Sequence, residues 1–180
     1  MAGKQLCPAL LLLVFTAQAA GKCTKINSCA CKLDNGLVID LTPLGRSDHT
    51  ARFKDQQGPD HYYYSYNPCF DFSEGGDCDS VSACQKTSPG LGGTFYDLGD
   101  QSTAEFIMDG DDVILQYTGS GKQDPTLRTT KVTLKCASTP GTDILSIQGE
   151  SPPLTYINKH DKINALYRPL HMREVIVFIM

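Results

Sequence analysis

The residue with the most chemistry to explain is Arg128. In LRTTKVTLKC, Leu127 to Cys136, the residues Thr130, Val132, Leu134 and Cys136 alternate with Thr129, Lys131, Thr133 and Lys135, the two-residue period of a half-buried strand. Arg128 falls in phase with the apolar set. An unpaired buried charge is expensive, so a strand that turns a guanidinium inward must meet it with carboxylates or with a ligand.

Catalytic constellations are scarce. The chain has no Ser nucleophile elbow, no Cys placed with a suitable His and no phosphate-binding glycine loop. DGDD at 109–112 resembles part of a calcium loop but lacks the downstream glutamate at the required offset, and it reads as a solvated hairpin turn. Glu150 with one of several aspartates would suit a glycosidase if the carboxyls stood ~5 to 10 Å apart, although nothing else in the sequence points there. Cys29 and Cys31 are one residue apart, Cys78 and Cys84 five, and the histidines at 49, 61, 160 and 171 sit beside none of them. Zinc sites favour two tight Cys or His pairs, so disulfides are expected, with no metal and no cofactor.

The elements that must position these residues follow a short leader. Ala9 to Phe15 is apolar and AQAA follows with small residues, the pattern of a cleaved secretory signal over about residues 1–20. Its apolar core is about half the ~20 residues that span a bilayer, and no later stretch is longer. The remaining chain is one domain's worth, enough to bury a core without metal. Removing Cys7 with the signal leaves seven cysteines, an odd number for an oxidising lumen. The formal charge of −4 becomes −5 when Lys4 leaves, and with no basic cluster nucleic acid is not an expected partner.

Strand signals dominate the mature chain. GLVIDLTPLG, HYYYSYNPC, GGTFYDLGD, AEFIMDG, DVILQYTG and TDILSIQGE recur between Gly, Asp and Pro turns, with Tyr62, Tyr64 and Tyr66 on one face. No helical period of useful length appears after the leader. The expected fold is all-β, a sandwich or flattened β-barrel of two packed antiparallel sheets stapled by disulfides, in a single domain over 22–156.

In that order, YYYSYNPC, ACQ, GGTFYDLGD, VILQYTGS, LRTTKVTLKC and ESPPLTY resemble the mannose 6-phosphate receptor homology domain, over about residues 36–156. The family includes the receptors and autophagy-related transmembrane sorting proteins. The resemblance implies one mannose ring held by Gln85, Arg128, Glu150 and Tyr156, each matched by position. The chemistry suits the ring: a mannose presents hydroxyls that both donate and accept, and these four side chains supply a planar donor fork, two acceptor oxygens, an amide and a hydroxyl. Duller roles remain open: Arg128 extending to solvent, Gln85 a turn residue after a disulfide, Glu150 capping the GESPP turn, Tyr156 in the core.

Departures from the pattern matter. The loop before the arginine reads GSGKQDPTLR, without the Cys or His of the receptors' phosphate loop; Lys122 offers a charge for a phosphate and Asp124 a carboxylate for a cation. Phosphorylated mannose, plain mannose-type glycans and loss of sugar binding all stay open. Family members continue after the tyrosine with a strand ending in Ala-Cys-Pro, whereas 157–180 here holds no cysteine. That tail reads as a divergent or truncated ending, with the closing strand and any membrane anchor of full-length relatives replaced, one free thiol at Cys136, and residues after about 157 loosely held; a genuine variant ending is the other reading. The expected function is a non-enzymatic lumenal lectin domain that sorts glycoproteins carrying mannose-type glycans toward endosomes or lysosomes. A cargo or trafficking adaptor with the same fold, and a secreted glycosidase, are the competing readings.

Overall fold

The computed structural model describes residues 21–120, 127–136 and 144–150 and, for 175–179, the backbone only. It is nearly all-β, as the strand signals predict. Twelve strands are seen among these residues: β1 Cys23–Asn27, β2 Ala30–Leu33, β3 Val38–Asp40, β4 Phe53–Gln57, β5 Tyr63–Tyr66, β6 Ala83–Lys86, β7 Phe95–Gly99, β8 Glu105–Asp109, β9 Asp112–Thr118, β10 Thr129–Cys136, β11 Leu145–Ile147 and β12 Val175–Ile179. They form three sheets, ordered β1-β2-β3, β4-β5-β6-β7 and β11-β12-β10-β9-β8. Two packed sheets were expected. The additional one joins CTKINSCACKL, whose charged and cysteine-rich sequence hides its pairing, to β3 within the expected strand GLVIDLTPLG, and no closed barrel forms among the described residues.

Local chemistry sets the strand boundaries. DGDD is the hairpin turn expected: Asp109 pairs with Asp112, leaving Gly110 and Asp111 at the corner, with Gly110 at φ +59°, which glycine adopts without strain. Strand β10 keeps its alternation, with Thr130, Val132 and Leu134 buried and paired to Tyr117, Leu115 and Val113 of β9. On its other edge β10 pairs antiparallel with β12, Thr133 opposite Phe178, and β12 in turn runs parallel to β11. Five residues of the tail thus cover the edge that the sequence reading leaves open.

The main core joins Ile39, Leu41 and Leu44 to Tyr64, Tyr66, Leu98, Leu115, Tyr117, Val132 and Leu134. At its centre the hydroxyls of Tyr66 and Tyr117 lie 3.2 Å apart, their rings edge to face at 6.1 Å. Burial pushes the Tyr66 phenol well above its ordinary value of 10.0, helped by neighbouring Tyr117, and burial likewise raises Tyr117. Because both folded-state values are raised, the two phenols contribute stability that is complete below pH ~10 and is lost as pH climbs beyond it, where the unfolded chain releases protons that the folded chain retains. Of the eight tyrosines, two are therefore expected to stay unionised in an alkaline titration of phenolate absorbance until the protein unfolds. Smooth titration of all eight in the folded state would contradict this packing.

Strand β6 is buried at all four positions and so has two covered faces. Ala83 and Gln85 face the main core; Cys84 belongs to a second cluster with Ala51, Phe72, Cys78 and Val81. Lys86, on the Cys84 side, is fully buried: its Nζ is paired with Asp55 and lies 2.6 Å from Glu74, with the Phe95 ring centroid 6.0 Å away. Asp55 reaches this position from a β-bulge in β4, at φ +54°, and also accepts the Gly90 amide at 3.1 Å. Two carboxylates and an aromatic face are what a desolvated ammonium needs.

Disulfides join Cys23 to Cys31, Cys29 to Cys69 and Cys78 to Cys84. They account for six of the seven cysteines among the described residues and are of the kind that an oxidising secretory or extracellular environment sustains. Cys136 ends β10, and its side chain lies outside the described residues. No helix among the described residues is long and apolar enough to cross a membrane.

Candidate functional site

Three of the four expected site residues fall within the described residues, and the sheets bring them to one region. Tyr64 of β5 pairs with Gln85 of β6, which pairs with Tyr96 of β7. Residues directly opposite one another in antiparallel strands share a face, so Tyr64, Gln85 and Tyr96 make a cross-strand row. Arg128 comes from the other sheet to cap it, its guanidinium carbon 4.6 Å from the Tyr96 ring centroid. Tyr62 meets the same ring edge to face at 6.5 Å.

The position of Arg128 is fixed from both sides. Its carbonyl accepts the Gly119 amide at 2.9 Å, which extends the β9–β10 ladder by one residue. That end of the sheet is tied to β7: the Ser120 amide and hydroxyl both donate to Asp97 Oδ2 at 2.8 Å, and the Thr130 hydroxyl donates to the Leu98 carbonyl at 2.7 Å. Gly119 has a steric reason to be glycine, since a Cβ there would stand 2.7 Å from the Asp97 carbonyl oxygen. These ties hold the guanidinium over the Tyr96 ring, with a planar fork of donors that a lysine could not reproduce. The question raised by an inward arginine is therefore answered in part by an aromatic face, where the sequence calls for carboxylates or a ligand.

Gln85 is 2% exposed, so its amide needs partners. Its Nε2 donates to the Tyr64 hydroxyl at 3.1 Å, and that hydroxyl donates to Asp60 Oδ2 at 2.6 Å. Asp60 Oδ2 also accepts the Glu150 amide at 3.1 Å. Glu150 leaves β11 through Gly149, at φ +80°. The chain Gln85, Tyr64, Asp60, Glu150 thus crosses three separate segments of sequence.

The structure links Gln85 to Glu150 and sets Arg128 on the residue opposite Gln85 in the sheet. Tyr156, Lys122 and Asp124 lie outside the described residues. Tyr64, Tyr96 and Asp60 were not singled out as site residues from sequence. The alternation in HYYYSY marks Tyr64 as inward, but nothing in the sequence sets Asp60 apart from other turn aspartates. Among the described residues no group of three or more His, Cys, Asp or Glu side chains is placed to hold a metal ion. An inward guanidinium on an aromatic ring, a buried amide and a carboxyl-bearing turn together offer fixed donors and acceptors suited to a small polyhydroxylated ring.

No protein-family model matches the chain, and neither a curated protein nor a solved structure matches it.

Proposed function

We propose that this domain is a lectin-type module that binds mannose-type glycans on glycoproteins in the lumen of the secretory or endolysosomal pathway and contributes to their sorting. The observation that carries this reading is that Arg128 lies over Tyr96, the residue opposite Gln85, while Gln85 is joined through Tyr64 and Asp60 to the main-chain amide of Glu150. Gln85, Arg128 and Glu150 come from three distant parts of the chain, and they are the ones that the ordered resemblance to the mannose 6-phosphate receptor homology domain assigns to a sugar ring. Charge-assisted hydrogen bonds from Arg128 and to Glu150 are roughly twice as strong as neutral ones, which is how a small site competes with water for hydroxyls.

A glycan array on the secreted, oxidised protein tests it, run with phosphorylated and plain high-mannose structures at neutral and acid pH. Mannose-dependent binding is expected. An array without mannose-dependent signal at either pH would leave the cargo-adaptor reading in its place, and turnover of a glycoside would replace it with an enzyme.

A further inference from the structure

We propose that Asp60 is a positioning residue that sets the hydrogen-bond polarity of the candidate site, by forcing the Gln85 amide to turn its nitrogen toward Tyr64 and its carbonyl oxygen to the opposite side. The final step, that this oxygen accepts from a sugar hydroxyl, rests on the glycan-binding reading above; the orientation itself does not.

A carboxylate is an acceptor only. Asp60 uses this capacity three times: Oδ2 accepts from the Tyr64 hydroxyl at 2.6 Å and from the Glu150 amide at 3.1 Å, and Oδ1 accepts from the Tyr62 amide at 3.3 Å. Since Tyr64 must donate its one proton to Asp60, it can offer Gln85 only a lone pair. The Gln85 atom 3.1 Å from that hydroxyl is therefore the nitrogen, an amide orientation dictated by the network. Tyr64 is fully buried, so water cannot relieve the constraint.

The surroundings are shaped for this carboxylate. A Cβ at Gly149 would stand 2.7 Å from Asp60 Oδ2, and one at Gly58 would stand 2.6 Å from Oδ1. Both glycines leave room where the carboxylate sits, and Gly149 does so on the turn that delivers Glu150. Asp60 therefore couples the orientation of Gln85 to the placement of Glu150.

Asparagine at position 60 has the same shape and the wrong polarity. If its NH2 faces Tyr62, two donors oppose each other. If it faces Tyr64, the hydroxyl must reverse and donate to Gln85, whose amide must then flip. Neither arrangement serves all three donors.

The test reads the Gln85 side-chain amide by NMR in the unliganded, oxidised full chain, its signals assigned by their loss in Gln85→Ala. The wild type is expected to show one Gln85 amide hydrogen protected from exchange. Tyr64→Phe, which keeps the buried ring and removes the hydroxyl, should abolish that protection. Asp60→Ala, which removes the acceptor altogether, should also shift or abolish it, and should weaken mannose-glycan affinity at least tenfold. A purely structural Asp60 would lower the melting temperature and leave the Gln85 signals in place; unchanged signals in both variants would overturn the proposal. Absence of mannose binding by the wild type would remove the glycan reading alone, since the amide signals still decide the orientation.

Discussion

Lys86→Ala is expected to destabilise the domain by about 3 to 5 kcal/mol, the usual consequence of removing one partner from a buried ion cluster. The side chain is 0% exposed, and Glu74, which shares it with Asp55, is 5% exposed. Truncation leaves two carboxylates facing each other with their cation gone and a void the size of a lysine stem between them. Lys54, 3.9 Å from Glu74 and itself more than half exposed, is too distant and too well solvated to replace it. Against a typical total of ~5 to 15 kcal/mol the loss is large. Chemical denaturation of the oxidised protein measures it, and a loss below about 1 kcal/mol would contradict the burial assigned to this cluster. Neutralising all three positions together, Lys86→Met with Asp55→Asn and Glu74→Gln, should recover part of the loss, because it removes the uncompensated charge as well as the cation.

Arg128→Ala should reduce mannose-glycan affinity by tenfold to a hundredfold or more while leaving the fold intact. Each charge-assisted hydrogen bond to a sugar hydroxyl contributes roughly 1.5 to 3 kcal/mol, and each 1.4 kcal/mol is tenfold. The residue lies just ahead of β10 and is only half-buried, so truncation spares the core pairs along the strand. Gln85→Ala should act in the same direction. Arg128→Lys is the more informative change: it keeps the charge but loses the planar fork of donors, and its affinity should fall close to that of the alanine variant. Titration calorimetry on folded variants checks this series, and unchanged affinity in both Arg128→Ala and Gln85→Ala would remove the site assignment.

What the sequence revealed, and what it hid, has a physical pattern. Strand β10 was legible because its sequence alternates, β9 because its apolar run is bounded by turn residues, and the hairpin at DGDD because glycine and aspartate suit its corner. Strand β6 was not legible as a strand: Ala83, Cys84, Gln85 and Lys86 are all buried, so no alternation appears, and a lysine reads as a surface residue until Asp55 and Glu74 are known to reach it. In the first sheet β3 was legible within GLVIDLTPLG, whereas β1 and β2 were hidden by Lys and Asn on exposed positions. Arg128, Gln85 and Glu150 were picked out by the family resemblance, through their positions relative to cysteines. The groups that hold them were not, because Tyr96 and Asp60 act through cross-strand register and a hydrogen-bond chain, and both depend on contacts between residues far apart in sequence. Asp60 and Glu150 are joined across a separation of 90 residues.

All three disulfides fall between Cys23 and Cys84, and the one from Cys29 to Cys69 spans 40 residues. In the chain-entropy picture, a loop of that length costs the unfolded chain about 4 kcal/mol of conformational freedom, whereas the two short loops cost less. The denatured ensemble is therefore lopsided. The segment that carries Tyr64 stays closed in a ring even when it is unfolded, and Gln85 directly follows another, while the segment that carries Arg128 and Glu150 is an open chain among the described residues. Oxidised protein should regain the tyrosine and glutamine half of the site with little search, and the arginine and glutamate half should arrive by long-range docking onto it. Reduction would erase that difference and slow the first step far more than the second.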